Sequence, residues 1–311
     1  MAFHPDLRLL LANDGALPVP VHGAVAQLSA VCDVDLTVAH VATGRGGDTP
    51  RPLTFDHAAA PRRLQRLELP GANAAAAIAD LCGRRPFDLV LAPGSPGNAP
   101  WRALRPSFRA RLLSRIDVPV WTIGRDLPSL HFHRPLRTVA CLLDFDTDPE
   151  PLLQRAAAFA RRMDARLHVL AVLPPVDDGT LATVLTSDTP LLPTAAVARI
   201  EQLCAGRATP IVEVVVDGLR RGLTRLLRAC QPDVLFVRAA QWATPWRSGF
   251  PGALDALACP VICVPKTTDA VVWSFEHAAA LTGVTSAHDR AAAAAAGVAT
   301  PWPAEGMPRA L

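Results

Sequence analysis

Leu9-Leu-Leu-Ala-Asn-Asp14-Gly15 and Val139-Ala-Cys-Leu-Leu-Asp144-Phe145 have the same shape at two places in one chain: an apolar strand ending in an acid. Working outward, each is followed by a helix-like stretch (about 20–32 and about 149–163). A second apolar strand comes next, Leu36-Thr-Val-Ala-His-Val41 or Leu167-His-Val-Leu-Ala-Val172. Third extended runs, Leu64 to Leu69 and Ile211 to Val216, close on the turn signals Pro70-Gly71 and Asp217-Gly218. Helical spacing over Ala72 to Cys82 and Leu219 to Cys230 then leads into Phe87-Asp88-Leu-Val-Leu-Ala92 and Pro232-Asp233-Val-Leu-Phe-Val237. Val118-Pro119-Val-Trp-Thr-Ile123 and Cys259-Pro260-Val-Ile-Cys-Val264 are the fifth strands.

Strands apolar on both faces, alternating with helices, indicate a parallel sheet covered on both sides. The fold class expected is therefore α/β, with two tandem doubly wound, Rossmann-like domains of five parallel strands each. The 311 residues suit two domains. The boundaries expected are a first domain over 1–126, a short polar linker over 127–134, a second domain over 135–267 and a tail over 268–311. The tail holds an alanine run from Ala291 to Ala296 and three late prolines, so a loose helix with disorder is expected, and deletion of residues 276–311 should barely change stability.

Composition removes several function classes. Half the residues are hydrophobic, which leaves ample apolar area for two cores. No apolar run approaches the roughly 18 residues that would span a bilayer. Met1 to Arg8 places an acid, a proline and a base where a secretory signal would need a basic end and an apolar stretch, so the cytoplasm is the expected location. Seven scattered cysteines, without Cys-x-x-Cys or zinc-like spacing, read as reduced core thiols. Net charge is +3, and Lys266 is the one lysine among 31 basic residues. The arginine pairs build no continuous stripe with interleaved aromatics, which disfavours nucleic acid as a partner.

Ligands of a doubly wound sheet sit at the carboxyl ends of the strands, where the strand order reverses. In the first half two loops reach that place, Asn13-Asp14-Gly15-Ala16 and Pro93-Gly94-Ser95-Pro96-Gly97-Asn98. Glycines in such a loop let backbone amides approach an anion, and Ser107 suits the cap of the following helix, whose N-terminal dipole favours phosphate. Taken by itself the loop also reads as a tight turn, and Asp14 as a helix cap.

Together, the strand ending in Asp-Gly, the strand ending in His-Val, Asp88-Leu-Val-Leu-Ala-Pro-Gly94-Ser-Pro-Gly97 and the closing Pro119-Val strand resemble a domain of the universal stress protein family. The resemblance covers nearly all of both halves. It implies a five-stranded parallel sheet, dimer formation and, in the ATP-binding branch, a Gly-x2-Gly-x9-Gly-Ser/Thr loop with the first-strand acid near the adenosine. Carried onto this chain, it implies an adenine nucleotide such as ATP held by Asp14, Val41, Gly94, Gly97 and Ser107, with Val41 near the adenine. One family glycine is missing, since either Ser107 or Pro106 stands in its place. In the second half Ala239 and Trp242 stand where both loop glycines would be, although Ser248 keeps the spacing to Pro260 that Ser107 keeps to Pro119. That loop is expected not to bind ATP.

No Walker lysine motif, metal-ligand cluster or nucleophile with an evident base is legible, so no catalytic residue is assigned. His131 and His133 of the linker are expected to be surface residues, and Trp101, Trp242 and Trp246 packing groups. Two functions stay open: a cytoplasmic stress-response regulator that binds an adenine nucleotide in its first domain, or an interaction scaffold whose loops have both decayed. An enzyme of adenylyl-transfer type would need polar groups facing Gly94 that the sequence does not supply. For partners, an internal pseudo-dimer joined through the closing strands is expected, with homodimer formation open and no membrane.

Overall fold

The computed structural model of the chain describes residues 7–13, 19–42, 60–93, 108–123, 127, 131–132, 134–143, 145, 148–173, 193–205, 209–240 and 259–265. Strands β1 (Leu7–Asn13), β2 (Val34–Ala42), β3 (Arg63–Pro70), β4 (Leu89–Pro93) and β5 (Val120–Ile123) belong to the first half. They are interleaved with helices α1 (Val19–Val31), α2 (Ala74–Arg84) and α3 (Phe108–Leu113). The second half holds β6 (Thr138–Leu143), α4 (Glu150–Arg162), β7 (Arg166–Leu173), α5 (Pro193–Cys204), β8 (Ile211–Val216), α6 (Leu219–Cys230), β9 (Val234–Arg238) and β10 (Val261–Val264).

All ten strands form one sheet in the order β3-β2-β1-β4-β5-β10-β9-β6-β7-β8. Pairing is parallel within each half, and the halves join where β5 and β10 run antiparallel, with Val261 beside Thr122 and Ile262 beside Trp121. Thr122 Oγ1 reinforces the seam by donating to the carbonyl of Val261 at 3.0 Å.

The central strands are apolar on both faces because both faces are covered. Leu7, Leu9, Leu10 and Leu11 of β1 have no exposed surface. Alternate residues feed two cores: Leu9 and Leu11 face α1, whereas Leu10 and Ala12 join the cluster of α2 and α3. The α1 side continues across the seam, where Trp121 meets Phe132 and Phe159 edge-on, both at 5.9 Å, and Phe159 meets Phe236 at 5.4 Å. Helix α6 shows the opposite pattern to the strands. Leu223, Leu226 and Leu227 are buried while Arg221, Arg225 and Arg228 face solvent, the stripe that a helix lying on a sheet requires.

Proline ends the approach to each closing strand. The carbonyls of Pro119 and Pro260 accept from the N–H groups of Val90 and Leu235 at 2.9 and 3.0 Å, so the sheet's hydrogen bonding begins one residue before the assigned strand in both halves.

Two elements differ from the sequence reading. Helix α5, between β7 and β8, was not anticipated. It carries Ala196, Ile200 and Leu203 inward, but its apolar positions are diluted by alanine and by exposed Arg199 and Glu201. The connection between the halves is tied to the core rather than simply polar. Leu127 and Phe132 are buried, and Gln27 donates to the carbonyls of Phe132 and Arg134 at 2.8 and 2.7 Å. His131, expected on the surface, is half-buried, and its Nε2 lies 2.9 Å from the carbonyl oxygen of Asp233. His133 and the tail over 268–311 lie outside the described residues.

Candidate functional site

The strand order sets the place where a ligand would lie. From β1 the sheet grows toward β2 and β3 on one side and toward β4 and β5 on the other, so the carboxyl ends of β1 and β4 flank the reversal point. Their register places Leu9 beside Leu89 and Leu11 beside Leu91, which brings Asn13 and Pro93 level at the top of the sheet. The next residues in the chain are Asp14 and Gly94. Asp14, Gly94, Gly97 and Ser107 lie outside the described residues, as do Trp101, Trp242, Trp246 and Ser248.

Val41 is described. It is 1 % exposed near the end of β2, beside Leu69 of β3, and belongs to the core under α2 and α3. It lies one strand away from the reversal point, as part of the apolar floor beside β1.

His40, its neighbour, was not singled out in the sequence. It pairs in register with Asn13 on β1 and Glu68 on β3, and shares a sheet face with Val38 and therefore with α1. Its Nδ1 is buried and meets no hydrogen-bond partner among the described residues. An imidazole nitrogen at the carboxyl edge of the sheet, one position from the reversal point, is a polar group that a ligand could satisfy. The available signal was the His-Val pair near the end of β2.

The second half builds the equivalent place from β6 and β9, with Arg238 at the end of β9 matching Pro93. Arg238 is 6 % exposed, and strand alternation puts it on the face of Phe236, toward α4. Its positive charge acts on Cys141 of the neighbouring β6, where burial pushes the thiol well above its ordinary pKa and the guanidinium works in the other direction. Ala239, where the first half has Gly94, begins a helical turn and is buried in the same core as Leu235, Val237 and Leu223. Side chains thus occupy the edge of the second half where the first half has proline and glycine. The signal for this was an arginine closing the apolar run Val-Leu-Phe-Val.

Among the described residues, no group of three or more His, Cys, Asp or Glu side chains could hold a metal ion. None of the described helices is long and apolar enough to cross a membrane. All seven cysteines are free thiols.

No curated protein matches the chain. Among solved structures, a universal stress protein from Archaeoglobus fulgidus DSM 4304 shares 14% identity over 85% of this chain and 98% of its own length, with a TM-score of 0.59. A Pseudomonas aeruginosa UCBPP-PA14 protein assigned to the universal stress proteins shares 15% identity over 89% of this chain and 98% of its own, with a TM-score of 0.54. A functionally unknown protein from Pseudomonas aeruginosa PAO1 shares 15% identity over 89% and 96%, with a TM-score of 0.55. These three likenesses are of fold. The family model of the universal stress proteins matches residues 135–255, the half built from β6 to β9. Over residues 135–255 the chain is thus similar in sequence to the universal stress proteins, and its fold is the one their solved structures share.

Proposed function

We propose that the chain is a cytoplasmic stress-response regulator that binds an adenine nucleotide such as ATP at the β1/β4 edge of its first half. The observation that carries this reading is the strand order, which sets Asn13 and Pro93 side by side at the reversal point, with Asp14 and the Gly94–Gly97 loop next in the chain. Buried Val41 suits an apolar surface for the adenine, and His40 offers a polar contact at the same edge. Free thiols throughout suit a reducing compartment.

The second half is the in-chain partner in this reading. Its corresponding edge carries Arg238 and Ala239, and a Cβ at that position keeps backbone amides from converging on a phosphate. The two halves then act as an internal pseudo-dimer through the β5–β10 seam, and nucleotide occupancy of one half is signalled through a rigid shared sheet.

Nucleotide released from the purified, heat-denatured protein tests the proposal, with up to one adenine nucleotide per chain expected. If no nucleotide co-purifies and none binds on titration, the chain is instead a scaffold whose loops have both decayed, the reading that the missing family glycine before Phe108 would favour.

A further inference from the structure

The two outer strands of the sheet are built differently. On β3 the residues Arg63, Gln65, Arg66 and Glu68 are exposed and Pro70 ends the strand, features that oppose addition of another strand. The other edge, β8, reads Ile-Val-Glu-Val-Val-Val, with one charge and no proline. Among the described residues β8 pairs with β7 alone. Asp217 N–H donates to the carbonyl of Leu173 on β7 at 3.0 Å, so by strand alternation the backbone N–H and carbonyl groups of Val212 and Val214 point away from β7. A trough of about 670 Å³ follows this edge.

The trough has two unlike sides, because the helices that wall it lie on opposite faces of the sheet. Val212 and Val214 pack toward α5, whose Val197 and Glu201 line one side. Val215 packs toward α6, whose Arg225 and Leu226 line the other. Helix α6 contains no acid, and exposed Arg221 and Arg228 stand within a turn of Arg225. Glu213, the acid of β8 on this side, is already engaged, with Oε1 2.9 Å from Nδ1 of His168.

We propose that this edge binds an extended segment of another protein, added to β8 as a further strand, with acidic side chains facing α6 and apolar side chains plus one base facing α5. An extended chain points successive side chains to opposite faces, so acids alternating with apolar residues meet Arg225 on one face and Val212, Val214 and Val197 on the other. The base falls beside exposed Glu201. Ile211 and Val216, 44 % and 45 % exposed at the two ends of β8, leave apolar surface for the segment to cover. A second copy of the chain lacks this complementarity. A two-fold axis normal to the sheet keeps each face on its own side, which sets Arg225 toward Arg225 and Glu201 toward Glu201.

Fluorescence anisotropy with the full chain and the labelled peptide Thr-Glu-Val-Glu-Lys-Glu-Val-Thr tests this. Saturable binding is expected, about tenfold or more tighter than that of the charge-reversed Thr-Lys-Val-Lys-Glu-Lys-Val-Thr and weakened by added salt. Arg225→Glu combined with Glu201→Arg, both at exposed positions, should abolish that preference with an unchanged circular dichroism spectrum. N-methylation of alternate peptide residues should abolish binding in one phase and spare it in the other, because only every second N–H of an added strand faces its neighbour. No binding of either peptide, equal affinity for the two, a preference that survives the double reversal, or N-methylation that acts alike in both phases would overturn the proposal.

Discussion

Asp88 holds Arg8 by the backbone: the N–H of Arg8 donates to Oδ2 of Asp88 at 2.7 Å, while the guanidinium reaches the same carboxylate at 3.3 Å. The acid is 1 % exposed at the foot of β4 and fastens the start of β1 beside it. Asp233 repeats this at the foot of β9, accepting from the N–H groups of Arg137 and Thr138 at 2.7 and 3.0 Å. Both acids lie at the end of the sheet opposite the candidate site and serve the fold.

Asp88→Ala should therefore destabilise the chain by about 1.5–3 kcal/mol, the worth of a charge-assisted hydrogen bond lost in a buried position. Arg8→Ala keeps the backbone N–H and removes only a partly exposed guanidinium, so its cost should stay below about 1 kcal/mol. Thermal unfolding of both variants checks the ranking, and equal losses would show that the side-chain pair, not the backbone clamp, carries the energy.

Glycine substitutions should separate close packing from helix propensity. A Cβ on Gly23 of α1 would stand 2.5 Å from Cβ of Phe132, which is itself buried against Trp121. Gly23→Ala should cost about 1–3 kcal/mol by overpacking. Gly83, near the end of α2, meets nothing within 4 Å, so Gly83→Ala should be neutral or stabilise by up to about 1 kcal/mol. Urea denaturation of the two variants gives the comparison, and a stabilised Gly23→Ala would show that the connection between the halves is not packed on α1.

Alkaline pH should destabilise the fold through its thiols. Burial pushes Cys82 up to about 12 and Cys230 up to about 11, from 9.0, and raises Cys141, Cys259 and Cys263 further. These folded-state values exceed the unfolded ones, so the unfolded chain releases protons first. Stability is then level below pH 9 and falls as pH rises toward 11–12. With no tyrosine and one lysine, few other groups titrate in that window. The urea midpoint should fall between pH 8 and about pH 10.5, and part of the slope should vanish in Cys82→Ala/Cys230→Ala. A flat midpoint over that range would contradict the burial of these thiols.

The fold was legible because its signal is duplicated. Leu9 to Ala12 and Val139 to Leu143 are apolar on both faces, which only a doubly covered sheet allows, and the repeated order fixed the element sequence. Helix α5 escaped because alanine-rich, weakly amphipathic segments carry little periodic signal. Phe132 sat in a polar stretch, and no local pattern marks a single aromatic that packs on a tryptophan of another element. The site was legible only as loop chemistry. Asp14, Gly94, Gly97 and Ser107 follow from motif spacing, whereas the positions of His40 and Arg238 at the sheet's carboxyl edge depend on strand order and register, which emerge only when distant segments pair.

Calorimetric titration with ATP of the wild type, Gly97→Trp and Trp242→Ala tests the central claim most directly. Amide hydrogen bonds to a phosphate are each worth about 1.5–3 kcal/mol, so a side chain that removes two should weaken binding by at least a hundredfold. The account predicts saturable binding at one site in the wild type and in Trp242→Ala, and none in Gly97→Trp. Equal affinity in the wild type and Gly97→Trp, or a loss of binding in Trp242→Ala alone, would contradict a nucleotide site in the first half.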